Sequence, residues 1–212
     1  MSLKLDKLAI TLGGQPLVKL DTEIAPGEVL TIMGPSGCGK STALAALIGA
    51  LPPAFGMSGR VVLDGRDITA LPPHARRLGI LFQDDVLFPH LSVAGNLGFG
   101  LPKGVDDRAG RIEAALAEAG LAGMGGRDPA TLSGGQRARV ALLRCLLSEP
   151  RGLLLDEPFA KLDTELRGQI RAFVFERARA HGLPVILVTH DQQDARAAGG
   201  RVISVTGEAV AL

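Results

Sequence analysis

Apolar residues recur among polar ones along Leu3 to Leu12 and along Leu17 to Ile24, which read as two short strands separated by Gly13-Gly14. Glu28 to Met33 (EVLTIM) reads as a buried strand running into a glycine-rich loop, and Ser41 to Ala50 continues as a helix stopped near Pro52-Pro53. Val61-Val62-Leu63 ahead of Asp64-Gly65 predicts a strand and turn, and Leu78 to Phe82 a further strand ending at Gln83. From there the period changes. Ser92 to Phe99, Asp107 to Ala119 and Gly134 to Ser148 read as helices; in the second, Ile112 and Leu116 share a face and Gly120 is the expected stop.

Gly152 to Leu155 is a continuous apolar run closed by Asp156, the pattern of a strand covered on both faces of a parallel sheet. A helix from Asp163 to about Ala180 follows, then the apolar strand Val185 to Val188, and short strands are expected at Val202 to Val205 and Ala209 to Leu212. Alternating strands and helices indicate an α/β fold, with the helical block at 86–148 inserted into it.

Composition narrows the options. Hydrophobic residues make up 46% of 212, enough for a sizeable core, and 23 basic residues nearly balance 22 acidic ones, which argues against a general nucleic-acid binder. Seven Phe with neither Tyr nor Trp leave little for a base- or sugar-stacking surface. Cys38 and Cys145 are too few for a disulfide framework, and MSLKLDKLAI carries no signal-peptide pattern, so a reducing cytoplasmic setting is expected. No apolar run approaches the roughly 18–20 residues that span a bilayer, so any membrane association is expected to run through a partner. The expected core closes shortly before residue 212, leaving no room for a separate regulatory domain.

Gly34-Pro35-Ser36-Gly37-Cys38-Gly39-Lys40-Ser41-Thr42 satisfies G-x-x-x-x-G-K-S between an apolar strand and a helix, the context a phosphate-binding loop requires. Glycines let the backbone curl with its N–H groups inward, and the helix N-terminus adds partial positive charge. Lys40 is a point charge for the β- and γ-phosphates, and the Ser41 hydroxyl can ligate Mg²⁺. Further on, Leu153-Leu154-Leu155-Asp156-Glu157-Pro158 sets two acids at the carboxyl end of a buried strand, where ligands bind in open α/β sheets. Asp156 is suited to hold Mg²⁺, and Glu157 to orient or deprotonate an attacking water. An isolated Asp-Glu pair is usually a solvated loop; the apolar run before it and the phosphate loop reverse that reading.

Leu132-Ser133-Gly134-Gly135-Gln136 opens a helix about twenty residues before Asp156, room for one helix in between, and is a second glycine-rich helix N-terminus able to meet an anion. The run LSGGQRARVALLRCLLSEPRGLLLDEPFAKLD resembles the signature helix, Walker B strand and D-loop of ABC-type ATPases. Gln83 matches that family's Q-loop position and His190 its switch histidine, so the resemblance covers nearly the whole chain. It implies one ABC ATPase domain over 1–212: a P-loop NTPase core with a mainly parallel sheet and an N-terminal antiparallel β subdomain (about 1–85 and 149–212), and an inserted α-helical subdomain (about 86–148).

It implies also a composite site for ATP and Mg²⁺. One protomer would bring Gly34 to Thr42, Gln83, Asp156, Glu157 and His190. A partner would bring Ser133, Gly134, Gly135 and Gln136, in a head-to-tail, ATP-dependent homodimer. Catalysis would fall to Glu157, His190, Lys40 and Gln83, and the metal to Ser41, Gln83 and Asp156. Two positions depart from the family pattern: Leu12 stands where an aromatic usually stacks on adenine, implying apolar and permissive base recognition, and Lys161 lies in the D-loop (Ala160 to Asp163) where a small residue is commoner. Asp163 can equally be a helix N-cap, and Cys38 a small filler.

Gln83 to Val93 (QDDVLFPHLSV) looks like the segment after the Q-loop of bacterial importer ATPases, whose relatives handle thiamine, iron, polyamines, sulfate or molybdate. There the region borders a groove that receives a helix of the membrane subunit; alternatively Val86, Leu87 and Phe88 simply pack the helical subdomain. The expected activity is ATP hydrolysis powering import through separate transmembrane permease subunits with a solute-binding protein, the chain lying on the inner face of the cell membrane. The rival is a non-transport ABC ATPase of DNA repair, translation or envelope machinery, although no coiled-coil insertion, zinc site or tandem domain is visible. An ordinary P-loop kinase leaves Leu132 to Gln136 unexplained.

Overall fold

The computed structural model describes every residue except Asp84, Asp85, Lys161 and Asp163, and all side chains but those of Glu165 and Leu166 as well. The expected D-loop lysine and the Asp163 N-cap therefore lie outside the described residues. Strands β1 (Leu3–Leu12), β2 (Gln15–Ile24), β4 (Phe55–Leu63) and β5 (Arg66–Asp67) form an antiparallel sheet in the order β2-β1-β4-β5. Strands β3 (Val29–Met33), β6 (Leu78–Leu81), β7 (Gly152–Asp156), β8 (Val185–Thr189) and β9 (Val202–Ile203) form a parallel sheet in the order β6-β7-β8-β3-β9.

In β1 the apolar positions change phase: Leu3 and Leu5 are odd, Leu8 and Ile10 even, yet all four are fully buried. Strict alternation cannot bury both pairs, because a strand's side chains have period two. An irregularity between Leu5 and Leu8 shifts the register against both neighbours, and Lys7 there has φ +50°. Gly59 of β4 lies against it; a Cβ at Gly59 would come 2.2 Å from the Lys7 carbonyl oxygen, so this close approach needs glycine.

The parallel sheet is covered on both faces, as the unbroken apolar runs of β3 and β8 require: every residue of both is buried. On one face Leu30, Ile32, Leu154, Ile186 and Val188 pack with helix α1 (Lys40–Ile48) and the antiparallel sheet; on the other, Leu153, Leu155, Val185 and Leu187 pack with α4 (Gly134–Leu147) and α5 (Thr164–Ala180). A separate apolar cluster joins α2 (Val93–Gly100), α3 (Arg108–Glu118) and α4 through Val93, Leu97, Leu116, Val140 and Leu143. Helix α4 belongs to both interiors, since its Ala138, Ala141 and Leu142 pack against the sheet.

Four expectations need correction. Helix α1 stops at Gly49, not at the prolines: Gly49 adopts φ +78° and its N–H returns to Ala45 and Ala46 carbonyls. Strand β4 starts at Phe55, six residues before the apolar run, because antiparallel pairing with β1 holds its glycine-rich first half. A seven-residue helix α6 (Gln192–Ala198), capped by the Asp191 side chain, follows β8 unannounced. The last expected strand reduces to one bridge, Ile203 to Ala209.

The C-terminus of α1 is held by Arg76, only 4% exposed, whose Nη1 donates to the Ala46 and Leu47 carbonyls at 2.9 and 2.8 Å while Nε donates to Leu71 O at 2.8 Å. The guanidinium supplements the Gly49 N–H at Ala46 O and supplies a donor to Leu47 O, and its charge complements the helix dipole. Arg76→Met is expected to destabilise the fold by about 2–4 kcal/mol in urea denaturation, since buried acceptors lose charged donors; an unchanged midpoint would show that water replaces the guanidinium without penalty.

Candidate functional site

In-register parallel pairing brings the carboxyl ends of three strands together. Met33 of β3 lies beside Thr189 of β8, and Asp156 of β7 beside Val188 of β8. The loop after β3, the acids after β7 and the histidine after β8 thus emerge along one edge of the sheet.

The loop 34–39 folds around the Lys40 side chain. Lys40 is 6% exposed, and its Nζ donates to Gly34 O at 2.8 Å and Pro35 O at 2.9 Å. Of its three ammonium hydrogens, these leave one for a phosphate oxygen. Gly39, the residue before α1, has φ +105°, and a Cβ there would sit 2.9 Å from Leu17 Cγ, so both backbone and packing demand glycine. Leu17 and Val18 of β2 therefore press on the loop from outside, a support that sequence reasoning missed; their place in an amphipathic strand gave no hint of what they cover. Cys38 is half-buried, with its sulfur against Gly34 and its side chain against the sheet-side core, as expected of a filler. Ser36, Gly37, Gly39, Lys40, Ser41, Thr42 and Glu157 line a cavity of about 240 Å³ at this loop.

Ser41 Oγ lies 3.5 Å from Asp156 Oδ1. Burial of the Asp156 carboxyl pushes its pKa up; the Ser41 hydroxyl opposes this, the neighbouring Glu157 adds to it and Lys40 opposes it. A half-buried carboxylate beside a hydroxyl is an all-oxygen donor pair for a hard cation, and among the described residues no cluster of three or more His, Cys, Asp or Glu offers a complete cage. That chemistry fits Mg²⁺, which uses one or two protein oxygens and takes the rest of its shell from phosphate and water.

Glu157 has φ +45°, left-handed backbone that a non-glycine residue holds at a cost of about 1–3 kcal/mol. The surroundings enforce it: its N–H donates to Val188 O at 2.9 Å, Pro158 is buried, and the fully buried Phe159 stacks edge-on against Phe175 of α5 with ring centroids 5.9 Å apart. So anchored, the Glu157 carboxylate turns toward β8, where Oε1 lies 3.0 Å from His190 Nδ1. An ionised Glu157 can only accept, so His190 donates to it through Nδ1–H.

Gln83 is exposed two residues beyond β6, whose Leu81 pairs with Leu155; it sits at the same edge, one strand beyond β7. Ser133 to Gln136 stand apart from this assembly: among the described residues they contribute nothing to the cavity at the phosphate loop. They form a reciprocal cap at the start of α4, with Gln136 N–H donating to Ser133 Oγ at 3.2 Å and Ser133 N–H to Gln136 Oε1 at 3.0 Å. The Gln136 carbonyl is thus committed to its own helix, while Ser133 is exposed and its hydroxyl hydrogen has no acceptor among the described residues.

The ABC transporter family profile matches residues 17–160. An uncharacterized ABC transporter ATP-binding protein of Escherichia coli K12, YnjD, is 49% identical over 180 residues, covering 84% of this chain and 83% of that protein. The thiamine import ATP-binding protein ThiQ of Cereibacter sphaeroides is 46% identical over 206 residues, 96% of this chain and 87% of that protein. Among solved structures, CbiO1 of Clostridium perfringens, part of the ABC transporter complex cbiONQ, superposes with a TM-score of 0.83 at 31% identity, covering 99% of this chain and 86% of that one.

The raised pKa of Asp156 has a consequence for stability. Its folded value exceeds its unfolded one, so its contribution is most favourable below the unfolded value and is lost as pH rises through the folded value. Asp156→Asn, uncharged throughout, is expected to melt higher than the parent near neutral pH without nucleotide, with the gain vanishing as pH falls toward about 4. Thermal melting against pH checks this, and a lower melting temperature for the variant at neutral pH would contradict it.

Proposed function

This chain belongs to the ABC transporter family, and we propose that it is the ATP-hydrolysing subunit that powers import of a solute through separate membrane subunits. ATP binding and hydrolysis go with the family. The observation that carries the hydrolytic reading is the meeting of the phosphate loop, Asp156, Glu157 and His190 at one sheet edge, with Glu157 lining the cavity at the loop.

In this reading the N–H groups of 36–42 and the Lys40 ammonium receive the β- and γ-phosphates. Ser41 and Asp156, with Gln83 at the next strand, hold Mg²⁺, which when bound neutralises charge developing on the phosphate oxygens. Glu157 orients the attacking water and draws its proton, and His190, donating through Nδ1, holds that carboxylate in place. Gly34 and Pro35 hold the Lys40 ammonium in place through their carbonyls. Leu12, exposed at the end of β1, offers the base an apolar contact without ring stacking, so adenine is weakly selected.

A γ-phosphate bound at this loop still lacks a donor on its outer side. Ser133 and the N–H groups of Gly134 and Gly135, at a helix N-terminus, supply that chemistry from elsewhere on the surface. That they do not line the loop cavity supports a head-to-tail homodimer in which each chain completes the other's site. The separate apolar cluster of α2, α3 and α4 supports division into an ATP-binding core, about 1–85 and 149–212, and a helical subdomain, about 86–148.

No helix among the described residues is long and apolar enough to cross a membrane. A cleft of about 280 Å³ between β6 and α4, edged by the exposed Phe82, Val86 and Phe99, is suited to a helix from a permease subunit. Val86, Leu87 and Phe88 divide between the two expected roles: Val86 is exposed at the cleft, Leu87 packs into both interiors, and Phe88 stacks on Phe99. Docking there would place the chain on the inner membrane face, with a solute-binding protein serving the other side. The import names of relatives such as ThiQ support the direction.

Glu157→Gln is expected to lower the hydrolysis rate about 10²–10⁴-fold while leaving ATP affinity within about twofold, the range general-base removal gives. Single-turnover hydrolysis and fluorescent-nucleotide binding measure the two separately. Hydrolysis at the parent rate would remove Glu157 from the chemistry.

A further inference from the structure

His190 is exposed, and among the described residues its side chain has a single polar partner, Glu157. An imidazole held by one hydrogen bond at the surface is not aimed by that bond alone, so the backbone beneath it has to be fixed. The residues on either side of it are. The Thr189 hydroxyl accepts from Asp191 N–H at 3.0 Å and lies 3.4 Å from Asp194 Oδ2. Asp191 Oδ1 accepts from Gln193 N–H at 2.6 Å, starting α6, and its Oδ2 lies 2.8 Å from Arg167 Nη2.

Both flanks converge on one buried group. Asp194, 1% exposed, receives Arg167 Nε at 3.0 Å and Nη2 at 2.6 Å, a two-pronged pair, and Arg171 Nη1 lies 3.3 Å from its Oδ1. Arg167 and Arg171 are one turn apart on α5, the helix that follows the turn carrying Glu157 and shares the Phe159–Phe175 contact with it. Planar, charge-assisted forks of this kind fix orientation as well as distance.

We propose that Arg167 and Asp194 are positioning residues for hydrolysis: their fork clamps Thr189 and Asp191 to α5 and thereby aims the His190 ring at Glu157. The inference rests on the Glu157–His190 reading above and adds to it the element that registers the two against each other. The clamp ties α6 to α5 through Asp194 and also reaches the residues immediately before and after His190, through Thr189 Oγ1 and Asp191 Oδ2. Burial works against the Arg167 charge, but the hydrogen bonds and charges of Asp194 and Asp191 outweigh it and hold the guanidinium protonated.

The test uses the full chain with Asp194→Asn and, as the variant that keeps an ion pair while losing the fork, Arg167→Lys. Two readouts are taken: the ring resonances of the four histidines by NMR, with His190 identified by its loss in His190→Ala, and kcat against KM for ATP. The expected result is a displaced His190 resonance with His74, His90 and His181 unmoved, and kcat lowered about tenfold with KM within about twofold. Should Asp194→Asn fail to fold, Arg167→Lys alone carries the same expectation. An unmoved His190 resonance in a folded variant overturns the proposal, whatever kcat does. A displaced resonance with parental kcat upholds the clamp's hold on the ring and overturns instead the Glu157–His190 reading on which its part in hydrolysis rests.

Discussion

The in-register parallel pairing of β7, β8 and β3 is the constraint from which the site follows. Each strand is buried on both faces, so none can slip by a residue without driving apolar side chains into the wrong layer. That rigidity fixes where each strand runs out: Met33 level with Thr189, Asp156 level with Val188. Three segments with no local reason to meet are thereby delivered to the same edge. What happens within the next residue or two is left to local devices: left-handed glycines in the phosphate loop, the strained turn at Glu157 anchored by Phe159, and the capped start of α6 beyond His190.

Helix α4 adds a second constraint. It packs on the sheet with one face and carries α2 and α3 on another, while its N-terminus presents Ser133 and two glycines already organised by a reciprocal cap. A movement of the helical block relative to the sheet therefore moves the proposed partner-facing anion site as a unit. The cleft along β6 and α4 lies at the same junction, so a membrane subunit docked there would push on the helix whose tip is proposed to reach the neighbouring ATP.

Much of this was legible in the sequence, because the features concerned are local. The unbroken apolar runs of β3, β7 and β8 announced a doubly covered sheet, and the phosphate loop, the acid pair and His190 each sit directly at a strand end. What stayed hidden depends on contacts between distant segments. The first half of β4 contains FGMSGR, with no alternation to read, and is a strand only because β1 pairs with it. The phase change between Leu5 and Leu8 depends on Gly59 lying opposite. Arg167 and Asp194 look like ordinary surface charges of two helices; only the fold shows them buried together behind His190.

The central claim is that this chain holds half of each ATP site and completes the rest from a second copy. It is tested most directly by the solution mass of Glu157→Gln, which should retain ATP, with and without Mg-ATP. The account predicts a monomer that becomes a dimer only with nucleotide, and loss of that dimer when Ser133→Arg is added while ATP binding persists. A Glu157→Gln chain that binds ATP and remains monomeric at every concentration tested, or a dimer indifferent to Ser133→Arg, would contradict it.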